Sequence, residues 1–352
     1  MRVLTVIGNR PQFVKAAAVS QRLRERADEV LVHTGQHYDD TLSRVFFDEL
    51  ELPRPEHQLD AGGGGNTSQT ARMLAALEPL IARERPDVVL VYGDTNSTLA
   101  GAIAGAQARV PVAHVEAGMR SYDRAMPEEL NRVLTDHAST LLLCSAPAAA
   151  QTLESEQVAG EVVVVGDVMV DVFELLAPRA DAAILERLGV EAGGYVLATA
   201  HRAGNVDDPQ RLLALVSLLE RMPGPVVLPL HPRTRARLDE AGLLRELERR
   251  LRITPPLGYL EFMGLLVNAR RVLTDSGGVQ KEAYLAAVPC VTLRGTTEWR
   301  ETVDAGWNEL VDLDVRAARA ALEREPPALH PRLYGDGRAG ERVVEALLRM
   351  SG

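Results

Sequence analysis

Two doubly wound α/β domains, Rossmann-like in plan, are what this 352-residue sequence predicts. Three observations carry that expectation. Short β-branched runs alternate with stretches long enough for helices, the alternation occurs in both halves, and unusual polar residues gather where the runs end. The chain is long enough for two domains of common size, each with its own core.

In the first half the predicted strands are RVLTVIG (2–8), EVLVHT (29–34), DVVLVYG (87–93), PVAHVEA (111–117), TLLLCS (140–145) and EVVVVG (161–166). The second half repeats the scheme with YVLATAH (195–201), PVVLPLH (225–231), LRITPP (251–256), RRVLTDS (270–276), PCVTLR (289–294) and NELVDL (308–313). The join falls near Val168 to Pro178, giving 1–168 and 169–337 as the domains and 338–352 as a terminal helix. Helix starts fit the scheme: Asp207 precedes PQRLLALVSLLERM with Pro209 in its first turn, and Pro127 opens PEELNRVLTDHA.

Composition, at 46% apolar and 25% charged, is that of a globular protein. A net charge of -10 argues against a broad nucleic-acid or anionic-membrane surface, so phosphate binding would fall to a few placed cations. Cys144 and Cys290 each end an apolar run and read as small hydrophobes, with no disulfide framework or metal spacing. The N-terminal MRVLTVIGNRPQ lacks a signal-peptide plan, and no apolar run approaches the roughly 18 residues of a membrane helix. A soluble cytoplasmic protein without nucleic-acid or membrane partners is expected.

Ligands of open α/β sheets collect beyond the carboxyl ends of the strands. Arg10, Asp94, Glu116, His201, His231 and Asp275 all stand at or just after predicted strand ends. The first strand runs into GNRPQFVK, which is not the three-glycine dinucleotide fingerprint. Arg10 and Lys15 instead put two cations at one helix start, an unfavourable place unless an anion joins them; solvated surface charge is the other reading. Asp94 in YGDTNST either serves chemistry or caps a helix beginning near Thr95. Glu116 in HVEAGMRS, with Arg120 after it, ends a buried strand and has no such capping role. Glu128 and Glu129 in MPEELNR suit a helical first turn, where a surface role fits at least one of them. Carboxylates converging on one place would permit general acid and base chemistry.

TAHRAGN puts His201 and Arg202 on a strand exit, fit for binding phosphate, shuttling a proton or filling a loop. LHPRTRARL reads as a solvated helix start, and GGGG at 62–65, with no lysine at P-loop spacing, as a flexible surface loop. In TDSGGVQKEA (274–283) a strand stops at Asp275, turns through Ser276, Gly277 and Gly278, and restarts as a helix carrying Glu282. Adjacent glycines let backbone N–H groups approach an anion at the positive end of a helix. The same residues also suit an ordinary turn capped by Asp275 or Ser276.

Taken in order, RPQFVK, TGQHY, YGDTNST, HVEAGMRS, MPEELNRVLTDH, TAHR, LHPRT, TDSGGVQKEA and TLRGTTEW resemble the non-hydrolysing UDP-N-acetylglucosamine 2-epimerases over nearly the whole chain. The resemblance implies a GT-B fold: two domains facing across a cleft and a last helix crossing back to the first domain. It implies UDP-sugar and UDP as ligands, a homodimer, and no cofactor or metal. It gives Ser276, Gly277 and Gly278 the diphosphate, Glu282 the ribose hydroxyls, and Arg10 and His201 places near the diphosphate. Lys15, Asp94, Glu116 and Glu128 match residues credited with substrate placement and proton transfer.

Three departures stand out. Gln12 follows Arg10-Pro11 where glutamate is frequent, Gly204 stands where glutamate is common and removes an acid, and Trp299 stands where an active-site arginine is common and removes a fork of donors suited to phosphate. Gln36, His37 and Arg72 partly match a second, activating substrate site, although YDD after His37 does not. The TEW pattern at Trp299 also resembles a branch acting on UDP-2,3-diacetamido-2,3-dideoxyglucuronate, the alternative substrate. A GT-B glycosyltransferase and a non-catalytic nucleotide-sugar sensor are the competing classes, and neither explains the acids at 94, 116 and 128 as well as proton transfer does.

Overall fold

Seven parallel strands form one sheet and six form another, in a computed structural model that describes residues 1–36 and 49–350. The chain divides into two compact units, Met1–Leu175 with Tyr334–Gly352, and Leu176–Leu333. In the first unit the strands are β1 (Arg2–Ile7), β2 (Asp28–His33), β3 (His57–Gln58), β4 (Val88–Tyr92), β5 (Val112–Ala117), β6 (Leu141–Cys144) and β7 (Glu161–Val164). Their spatial order is β3-β2-β1-β4-β5-β6-β7. The second unit has β8 (Val196–Thr199), β9 (Val226–Pro229), β10 (Arg252–Thr254), β11 (Arg271–Thr274), β12 (Cys290–Thr292) and β13 (Asn308–Leu310), ordered β10-β9-β8-β11-β12-β13. Every predicted strand is present. β3 is an addition: two residues without a β-branched run, pairing with Val32 and His33.

Both sheets are doubly wound, and the order reverses between β1 and β4 in one and between β8 and β11 in the other. A crevice opens at such a reversal, beyond the carboxyl ends of the two strands. The central strands are buried on both faces, as parallel strands under helices must be: Leu4, Val6, Val89, Val91 and Val112 pack with the helix Asn66–Glu84 through Met73 and Leu77. In the second unit Val196, Ala198 and Leu228 pack with Leu212, Leu215 and Leu219 of the helix Pro209–Glu220. The cap of that helix is Asp208, whose carboxylate accepts from Gln210 N and Arg211 N, and not Asp207, which pairs with Arg233 and Arg237.

The last helix, Ala339–Arg349, belongs to the first unit. The Asp171 carboxylate accepts from Ala339 N at 3.0 Å and Gly340 N at 2.9 Å, capping its N-terminus. Gly340 lets that helix approach the Ala18 carbonyl of the helix Arg10–Arg24, where a Cβ would collide. GGGG is pinned: Arg72 donates to the carbonyls of Ala61, Gly62 and Gly63, so the expected flexible loop is a braced entry into the helix Asn66–Glu84. No described helix is long and apolar enough to cross a membrane.

Candidate active site

At the first reversal, β1 is followed by Gly8 and Asn9, and Asn9 caps the helix Arg10–Arg24 by accepting from Gln12 N. Gln12 explains its own identity. Its Oε1 accepts from Gly8 N at 2.8 Å, while its Nε2 donates to Tyr92 O and to Thr98 Oγ1, each at 2.9 Å. A glutamate in this buried place would meet the Tyr92 carbonyl without a proton to offer. Gln12 thus ties β1 to the end of β4, and Arg10 opens the helix at its partly exposed first position.

Lys15, one turn further, is ion-paired with Glu116. Burial opposes the lysine charge, but Glu116 and Asp94 more than compensate and hold the Lys15 pKa above its ordinary value. Glu116 reaches the lysine through an irregular backbone. It has φ 73°, and the register of β5 on β6 shifts between Val115 and Ala117, so Glu116 is the extra residue of a bulge. A non-glycine residue in the left-handed region is strained and persists where its surroundings over-determine it. Gly93 makes room: a Cβ there would lie 3.1 Å from Lys15 Nζ and 3.4 Å from Glu116 Oε2.

Asp94 does not cap the next helix. Thr95 does, in a capping box with Thr98, while the Asp94 carboxylate accepts from Arg132 Nε at 3.0 Å and Nη2 at 2.5 Å. Arg132 also donates to Glu129 at 2.9 Å. Glu129 is buried and accepts from Ser121 N and Tyr122 N; burial works against its charge, but these bonds and Arg132 hold its pKa low. Of the acid pair at the start of the helix Pro127–Ala138, Glu129 is therefore structural, and Glu128 is the half-buried member without a hydrogen-bond or ion-pair partner among the described residues. Asp94, Glu116 and Lys15 come together; Glu128 lies on the same helix as Arg132, which holds Asp94.

In the second unit Asp275, fully buried at the end of β11, accepts from His201 N, Arg202 N and Asn205 Nδ2 at 3.0–3.1 Å. It therefore fixes the turn after β8 and does not cap its own turn. His201 stacks on His231 with ring centroids 5.2 Å apart, and burial lowers its pKa against the pull of Asp275. His231 caps the helix Pro232–Glu240 by accepting from Arg233 N at 3.2 Å, so the basic LHPRT stretch is anchored at its first residue.

Ser276 is the N-cap residue of the helix Gly277–Leu285, yet its side chain makes no capping bond. A Cβ on Gly278 would meet nothing closer than Ser276 Oγ at 4.0 Å, so that side of the helix start is open, while a Cβ on Gly277 would lie 3.5 Å from Glu298 Oε2 and from Trp299 Nε1. That combination suits an anion on the backbone N–H groups. Glu282, one turn on, accepts from the Tyr259 hydroxyl at 3.0 Å, and burial pushes its pKa to about 7 despite Tyr259 and Lys281.

Trp299 was expected to differ from an arginine by removing donors from the site. It is buried, and its indole N–H donates to Gly277 O at 2.8 Å, bracing the turn from behind. Lys281 Nζ lies 3.6 Å from the centre of that ring. Around Gly204 there is open space for a side chain. Gln36 Oε1 accepts from Ser97 N at 3.0 Å and Ser97 Oγ at 2.6 Å, Arg72 is committed to the glycine loop, and His37 lies outside the described residues.

A family model described as UDP-N-acetylglucosamine 2-epimerase matches residues 21–348. A UDP-N-acetylglucosamine 2-epimerase homolog of Methanococcus maripaludis is 44% identical, over 99% of this chain and 99% of its own. The UDP-2,3-diacetamido-2,3-dideoxy-D-glucuronate 2-epimerase of Pseudomonas aeruginosa is 46% identical, over 99% of this chain and 100% of its own. In three dimensions the chain is similar to the Methanocaldococcus jannaschii UDP-GlcNAc 2-epimerase crystallised with UDP-GlcNAc and UDP, with a TM-score of 0.91 and 38% identity over 99% of this chain and 100% of that one. The doubly wound units are those of a GT-B fold, and the chain belongs to the UDP-N-acetylglucosamine 2-epimerase family.

Proposed function

We propose that the protein inverts C2 of a UDP-2-acetamido sugar, converting UDP-N-acetylglucosamine to UDP-N-acetylmannosamine. The observation that carries this is the cluster of Glu116, Lys15 and Asp94, built on a strained bulge at the first sheet's reversal. C2 is not adjacent to a carbonyl, so its proton is hardly acidic. Departure of UDP from C1 develops positive charge there and acidifies the C2 proton. A carboxylate takes that proton, leaving a 2-acetamidoglucal and UDP. Re-addition of UDP at C1, with protonation of C2 from the other face, gives the epimer with atoms and charge balanced.

Glu116, Asp94 and Glu128 share the proton work in this scheme, and Lys15, ion-paired with Glu116, orients it. Ser276, Gly277 and Gly278 take the diphosphate, Arg10 and His201 add to its charge balance, and Glu282 takes the ribose hydroxyls. Stabilising charge that grows on the leaving diphosphate lowers the barrier itself. The enzyme so proposed is a cytoplasmic homodimer that uses no acceptor, which separates it from a glycosyltransferase.

A second substrate is favoured by the 46% identity to the uronate epimerase and by the missing acid at Gly204, whose absence eases accommodation of a substrate carboxylate. Offering UDP-N-acetylglucosamine and UDP-2,3-diacetamido-2,3-dideoxyglucuronate separately, and comparing kcat/KM, decides between them, since discrimination is a difference in transition-state binding. A higher kcat/KM for UDP-N-acetylglucosamine is expected. A clear preference for the uronate would transfer the assignment, and inactivity on both would remove it.

A further inference from the structure

Asp136 is fully buried in the helix Pro127–Ala138, and its carboxylate has three partners. Oδ1 is 2.7 Å from His114 Nδ1; Oδ2 accepts from Arg120 Nη1 at 2.7 Å and from Gly118 N at 3.2 Å. The far nitrogen of His114 lies 2.7 Å from the Gly93 carbonyl. A carbonyl oxygen only accepts, so Nε2 donates to Gly93 and the ring links Asp136 to that carbonyl. Arg120 is in turn clamped by Glu156 through three bonds of 2.7–3.3 Å.

The ends of this network are backbone groups of the site. Gly93 is the residue whose missing side chain admits Lys15 and Glu116, and it also donates to Val115 O at 3.0 Å, immediately before Glu116. Gly118 stands two residues beyond Glu116, on the far side of the bulge. One buried carboxylate thus reaches the floor beneath the Lys15–Glu116 pair through His114, and the segment after Glu116 directly. Burying an ion costs desolvation that apolar packing would avoid, so a hub of this kind stabilises a particular geometry better than it stabilises the fold. Burial works against the Asp136 charge, but His114 and Arg120 hold its pKa below the ordinary range.

We propose that Asp136 and His114 are positioning residues, which hold Gly93 and Gly118 so that Glu116 and Lys15 keep the geometry needed for proton transfer at C2. This rests on the epimerase reading above. A misplacement of about 1 Å at a reacting group costs on the order of 10² in rate. Asp136→Asn and His114→Leu are therefore expected to lower kcat about 10- to 100-fold. KM should stay within about threefold and UDP affinity should not change, because neither residue is assigned to the nucleotide. His114→Gln keeps a donor for the Gly93 carbonyl and should recover part of the rate. Should Asp136→Asn fail to fold, the two His114 variants decide the matter.

Steady-state kinetics with UDP-N-acetylglucosamine, UDP calorimetry and melting curves on the full chain give the answer. Variants of wild-type kcat, no difference between His114→Leu and His114→Gln, or a kcat loss matched by equal losses in UDP affinity and melting temperature would each overturn the proposal. A wild-type protein inactive on UDP-N-acetylglucosamine and on the uronate alike would remove the epimerase reading and this proposal with it. An active wild type with unaffected variants would remove the proposal alone.

Discussion

Glu116→Gln is expected to reduce turnover by about 10² or more, the range lost when a general acid or base is removed. The effect has two sources. An amide cannot take the C2 proton, and Lys15 loses the partner that most favours its charge in a buried place. Asp94 also acts on Lys15, so the lysine is not left wholly uncompensated and the fold should survive. Melting temperature reports the structural part, and kcat measured at saturating UDP-sugar reports the chemical part. Turnover within about threefold of wild type would take Glu116 out of the proton transfer.

Gly278→Val is expected to weaken UDP binding by about 10- to 100-fold, the equivalent of about one hydrogen bond to a charged group. The fold gives no reason for instability. The backbone at 278 is ordinary helix, and nothing of the protein lies closer than 4.0 Å to a Cβ there. The Cβ and its methyl groups would instead occupy the approach to the N–H groups at the helix start, where the diphosphate is assigned. Unchanged UDP affinity by calorimetry, in a variant of normal melting temperature, would remove the turn from the site.

The strands were legible because parallel strands buried on both faces are continuous β-branched runs, and DVVLVYG and RRVLTDS carry that signature without ambiguity. β3 carries none: it is two polar residues that become a strand by pairing with β2. Asp207 reads as the residue preceding the helix Pro209–Glu220, but Asp208, directly before the first-turn proline, is its cap, and Asp207 is drawn off by Arg233 and Arg237 of the helix Pro232–Glu240.

The helix Pro127–Ala138 was legible as a helix but not by its face. Its buried residues are Glu129, Asn131, Arg132, Thr135 and Asp136, while Leu130 and Leu134 are 55% and 42% exposed. A rule that turns the apolar stripe inward therefore reads this helix inside out. The polar stripe faces in because it binds the strand ends of the site: Arg132 takes Asp94 from 38 residues away, and Asp136 takes His114 from 22. Those pairings follow from strand order, which no local pattern encodes. A polar stripe spaced as a helix face, beside a motif already under suspicion, was the available signal.

Trp299 shows the same limit. Its type suggested lost donors, yet its one N–H is used on the Gly277 carbonyl, and a lysine from the next turn of that helix lies over its ring. Only the packing of the chain after β12 against the turn after β11 reveals a brace where the sequence suggested a gap.

Incubation with UDP-N-acetylglucosamine in heavy water, without acceptor, tests the proton-transfer mechanism most directly. The expected result is UDP-N-acetylmannosamine carrying deuterium at C2, with slow leakage of UDP and a 2-acetamidoglucal, because the intermediate is neutral and not covalently held. Epimer formed with its original C2 hydrogen would point to internal hydride transfer or ring opening and would contradict elimination and re-addition.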